Sequence, residues 1–82
     1  MAVGPVPSAG PHLGRVASFD STRGLGSVLD EEGTTFGFHA TAIADGSRDI
    51  AVGTDVTFVV APGHGGRYEA RWLAPASHQR PA

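Results

Sequence analysis

Five arginines, at positions 15, 23, 48, 67 and 71, are the cations available to hold a phosphate in the central part of this 82-residue chain. Arg23 opens the string Arg23-Gly24-Leu25-Gly26. There it could rest on a phosphate, or the two glycines could simply let a strand curve tightly. His39 carries a flat ring that can stack on a base or hydrogen-bond to it. Gly63-His64-Gly65-Gly66 has the composition of a phosphate cradle, but no helix follows to present its N-terminus, so a hairpin connection is expected. Asp30-Glu31-Glu32 could collect a cation, although three acids in a turn are expected to face solvent. The four histidines, at 12, 39, 64 and 78, show no paired ligand spacing, and the chain has no cysteine. No metal site is therefore expected. Ser18, Asp20 and His39 have no arrangement in which a base is held by a third group, so neither an enzyme nor a cofactor is expected.

The elements that must position these groups follow a period of two. Asp55-Val56-Thr57-Phe58-Val59-Val60 places Val56, Phe58 and Val60 on one face. Phe36 and Phe38 share a face, with Gly37 and His39 on the other. In Arg67-Tyr68-Glu69-Ala70-Arg71-Trp72 the charged residues alternate with Tyr68, Ala70 and Trp72. The two aromatics there are expected to pack against the barrel end or a tail. An exposed one would offer a stacking surface, with Arg67 or Arg71 beside it to reach a phosphate. Leu13 to Phe19 and Gly24 to Leu29 read as two further strands. Turn chemistry separates them at Asp20-Ser21-Thr22, at Asp30-Glu31-Glu32-Gly33 and at 62–66. Residues 40–54 form the one long connection, with a single helical turn at Thr41-Ala42-Ile43. Five short strands and one long loop predict an all-β, five-stranded antiparallel barrel of the OB class.

Composition bounds what such a barrel does. Glycine and proline, 12 and 6 residues, make up more than a fifth of the chain and favour turns over helix. The proline-rich ends, 1–12 and 74–82, are expected to be flexible tails around one small domain at 13–73. No apolar run is long enough for a transmembrane helix. The start lacks a basic region followed by an apolar stretch, so no signal peptide is expected and the cytoplasm is the natural compartment. Between 14 and 73 the five arginines face eight acids, a net of −3. That is not the footprint of a protein living on phosphate backbones, which is usually basic.

Gly14-Arg15-Val16, Phe19-Asp20, Arg23-Gly24-Leu25-Gly26-Ser27-Val28 and Phe38-His39-Ala40-Thr41-Ala42-Ile43 occur in the order and spacing of the cold-shock domain. The match continues through Gly46, Arg48, Ile50, Gly53, Val56 and Phe58 to Gly63, Gly66 and Ala70. The chain thus resembles that family over roughly 14–73. The resemblance implies a barrel that binds single-stranded nucleic acid across its first three strands. In the family two motifs, approximately K-G-F-G-F-I and V-F-V-H-F, project aromatics that stack on bases, helped by a tryptophan on strand one. Mapped onto these motifs, Ser18 stands at the tryptophan and Ala17 at a neighbouring lysine. Leu25 and Ser27 stand at the outward phenylalanines of the first motif. Gly37 and Ala40 stand at outward aromatics of the second. Arg23, His39 and Phe19 keep the family's chemistry. Each stacked base is worth about 1–3 kcal/mol, so losing five such side chains forfeits at least ~5 kcal/mol, more than a thousandfold in affinity.

The resemblance therefore implies a weakened binder of single-stranded RNA or DNA, an RNA chaperone or a transcription or translation modulator. Its site would be Arg23, His39, Phe19, Leu25, Ser27 and Ser18, with Arg67 nearby. The alternative is a protein-interaction module on the same scaffold. In it the smooth face of Leu25, Val59, Ser18, Ser27, Gly37 and Ala40 meets a partner, for example in the transcription machinery. A monomer or weak homodimer, with no membrane partner, is expected in either case.

Overall fold

The computed structural model describes residues 10–76, so 1–9 and 77–82, most of the two expected tails, lie outside the described residues. Five strands follow in chain order: β1 (His12–Asp20), β2 (Leu25–Asp30), β3 (Thr35–His39), β4 (Asp55–Pro62) and β5 (Tyr68–Pro75). They close into a barrel with the order β1-β2-β3-β5-β4, the OB-like arrangement that the alternation of apolar residues predicts. Four seams are antiparallel. The fifth joins β3 to β5 in parallel through the single pair Gly37 and Glu69.

β1 serves two neighbours, pairing its first residues with β4 and most of its length with β2. Its register with β2 slips between Val16 and Ser18, so Ala17 is an extra residue. Such a bulge bends a strand sharply, which a barrel this small requires. Gly26 allows a second close approach. A side chain there would begin 2.5 Å from the Phe38 ring and 2.6 Å from the Ser18 carbonyl oxygen.

The inward positions form one core of Val16, Val28, Phe36, Phe38, Ile43, Val56, Phe58, Val60, Ala70 and Leu73. Ring packing runs through it, with Phe36 edge-on to Phe58 at 6.0 Å between centroids. The long connection contributes a 3-10 turn at Ala40–Ala42, and Ile43 then bridges to Leu73 and seals one end.

Three local features depart from the sequence reading. The barrel reaches beyond 13–73: His12 begins β1 and stacks on Phe58 at 5.4 Å, and the Ala76 amide donates to the Asp55 carbonyl at 2.8 Å. The acidic turn is not wholly in solvent, because Asp30 is only 7% exposed. Its Oδ1 accepts the amides of Glu32 and Thr34 at 2.9 and 3.1 Å, and its Oδ2 lies 3.5 Å from His12 Nδ1. Burial pushes the Asp30 carboxyl up, but those amides and His12 outweigh it and hold the group below its ordinary value. Lastly, Trp72 is not packed into the barrel end among the described residues, and is 69% exposed. The register between β4 and β5 slips opposite Thr57 to Val59, and Trp72 takes a φ of 61°. Arg71 and Trp72 are consecutive exposed residues, and Leu73 drops into the core instead.

Candidate nucleic-acid interface

The ladder registers place the mapped residues in rows across the outer face of β1, β2 and β3. One row runs Asp20, Leu25, His39; the next runs Ser18, Ser27, Gly37; a third runs Arg15, Leu29, Thr35. Alternate residues on a strand share a face, so these rows are neighbours about 6–7 Å apart. The middle row is a low floor. The Ser18 and Ser27 hydroxyls are hydrogen-bonded to each other at 2.7 Å, and Gly37 adds no side chain. Leu25 and Leu29 rise on either side of it, 42% and 44% exposed. Nothing on this floor has a π-face, so it cannot stack a base.

Phe19 is half-buried against the core and lies parallel to Phe38, with 5.8 Å between centroids. That contact commits part of the ring to the barrel. Arg23 sits in the β1–β2 turn, which Asp20 organises by accepting the amides of Thr22 and Arg23 at 3.0 and 3.2 Å. The guanidinium Nε is 3.9 Å from the same carboxylate, so a phosphate would compete with a fixed anion for it. Arg15 is likewise paired, its Nε donating to Asp55 Oδ1 at 3.1 Å.

His39 is exposed at the end of β3, where the parallel seam brings in β5. Two adjoining grooves meet beside it. One is lined by Leu25, Gly37, His39, Gly65, Arg67 and Tyr68, between the β2–β3 face and the β4–β5 hairpin. The other is lined by His39, Pro62, Gly63, Glu69 and Arg71. Arg67 is exposed and, among the described residues, makes no ion pair. Arg71 lies 3.8 Å from Glu69 Oε1. Hence the seven residues singled out from sequence divide. Leu25, His39 and Arg67 share a groove; Ser18 and Ser27 form the floor beside it; Arg23 and Phe19 are engaged by their own neighbourhood.

The sequence offers Tyr68 as a stacking surface and Arg71 as a phosphate contact on the last strand, but does not bring them beside His39. The signal for them is the β3–β5 seam, a pairing of residues remote in the chain that no local pattern reports. Among the described residues no group of three histidine or acidic side chains could hold a metal ion, and no helix is long and apolar enough to cross a membrane. No protein-family model and no curated protein matches the chain.

Proposed function

We propose that this chain is a cold-shock-like module that binds single-stranded nucleic acid with reduced affinity, as an RNA chaperone or a modulator of transcription or translation. OB-type barrels receive oligonucleotides on the face of strands 2 and 3 and on the loops between strands 1 and 2 and strands 4 and 5. The observation that carries the reading is the groove at that place. It joins Arg67, which makes no ion pair among the described residues, to two rings, His39 and Tyr68, and to the exposed Leu25, with Glu69 on the same wall. A cation beside flat side chains is the minimal equipment for a phosphate and its base. With eight acids against five arginines over 14–73, affinity should be in the micromolar range or weaker and fall steeply with salt.

Fluorescence anisotropy tests this with labelled ten-base single-stranded RNA and DNA of mixed sequence, at about 20 and 150 mM salt. Saturable binding at the lower salt, weakened at the higher, supports the proposal. Absence of saturable binding at the lower salt overturns it. The second reading, a protein-interaction module, draws on Leu13, Leu25 and Leu29, each at least 42% exposed on β1 and β2. Single exposed apolar residues are ordinary on soluble proteins, so this is the weaker support.

A further inference from the structure

We infer that Trp72 is the main base-stacking side chain of this protein, and that the bound strand leaves the β2–β3 face at His39 and continues over Arg71 onto β5. The inference rests on the nucleic-acid reading above and assigns that reading a residue outside its expected face.

Trp72 is 69% exposed, the most exposed of the large apolar side chains among the described residues. No ring contact or hydrogen bond of its side chain is present among the described residues. A tryptophan has the largest hydrophobic surface to bury of any side chain, so leaving it in water forgoes the usual gain of folding. Its backbone is also held at a φ of 61°, a region that L residues with large side chains rarely occupy. Strain and exposure at one residue are a combination seen where a side chain is held ready for a ligand.

The surroundings indicate which ligand. Arg71 precedes Trp72, and Arg71 lines one groove with His39. Imidazole and guanidinium thus share a groove whose wall also carries Glu69, and the indole is the next exposed side chain along β5. Flat and cationic groups in succession match a chain of bases joined by phosphates, which presents π-faces and negative charges in turn. An indole gives the strongest such platform and attracts cations as well as bases. The smooth floor of Ser18, Ser27 and Gly37 lacks a ring; on this assignment the ring stands on β5 instead.

Trp72 is the only tryptophan in the chain, so its emission reports on this position alone. The intact protein is titrated at about 20 mM salt with unlabelled ten-base single-stranded DNA of mixed sequence, while anisotropy follows a labelled copy. The expected result is saturable quenching of Trp72 emission with the same midpoint as the anisotropy change. Trp72→Ala should then weaken binding by about fivefold to a hundredfold, as loss of one stacked base requires, and Trp72→Phe should restore most of it. Trp72→Gly should also weaken binding while keeping or raising the melting temperature, since glycine accepts the left-handed backbone without strain. Arg71→Gln should reduce the slope of log affinity against log salt by less than one, because Glu69 Oε1 already lies 3.8 Å from that guanidinium. Anisotropy binding without quenching, or undiminished in the Ala and Gly variants, overturns the role of Trp72 and leaves nucleic-acid binding standing. No binding by either signal overturns both.

Discussion

The outer surfaces of β2 and β5 have exchanged properties. On β2 and its neighbours, where an OB-type barrel receives bases, the protein presents a hydrogen-bonded serine pair and a bare glycine between two leucines. On β5, where alternation would bury an aromatic, a bulge turns the sole tryptophan into water. Both surfaces wrap the same core. The contrast teaches that closing the barrel constrains only the inward residues, and that one bulge suffices to reassign an outward one. Outward side chains can therefore change around such a barrel without disturbing what holds it together.

The sharpest break between inside and outside comes from Phe58, fully buried and in ring contact with Phe36 and His12. Phe58→Ala should cost about 3–5 kcal/mol and unfold much of so small a domain, read as loss of a cooperative thermal transition. Asp30→Ala should cost about 2 kcal/mol, because two amides lose a charged acceptor. The native carboxyl titrates below its ordinary value. Its contribution is thus present above the unfolded aspartate range and is lost as pH falls through the depressed value, below about pH 4. Melting curves of the native protein should show that acid loss, and those of the Asp30→Ala variant should show less of it.

The next test would undo the exchange on the β1–β3 face. Ser18→Trp, Ser27→Phe and Gly37→Phe together should raise affinity for single-stranded DNA at least tenfold, about 1.4 kcal/mol. A Cβ added at position 37 would meet nothing closer than 3.8 Å, so the backbone there leaves room for a side chain to start. A folded triple variant with unchanged affinity would mean that this face does not meet the ligand. The smallest effects separate two arginines. Arg67→Ala should lower the salt slope by about one, whereas Arg23→Ala should change it less, because Asp20 already lies beside that guanidinium.

The five strands and their turns were readable from residue pattern because three of the strands alternate and each turn carries its own Asp, Gly or Pro. The inward set of Phe36, Phe38, Val56, Phe58 and Val60 follows directly from that alternation. Trp72 and Leu73 escaped it, since a bulge reverses the phase and only the facing strand shows where it falls. Asp30 reads as a solvated acid until the turn folds over it and supplies two amides. His12 ends a run that reads as tail, and its stacking on Phe58 depends on a partner far along the chain. The candidate site was half legible for the same reason. The rows on β1–β3 follow from local hairpins, while the grooves beside His39 need the non-local seam with β5.

That seam also governs how the molecule would fail. A closed barrel has no unpaired strand edge, which guards a protein with three exposed leucines on two strands against stacking onto its own copies. The guard is thinnest at the seam, where one residue pair, Gly37 with Glu69, joins β3 to β5. Opening there would uncover two edges at once and offer a template for aggregation. A strand of nucleic acid lying over His39 and Arg71 would span that opening, so the ligand proposed here would double as a clasp on the barrel.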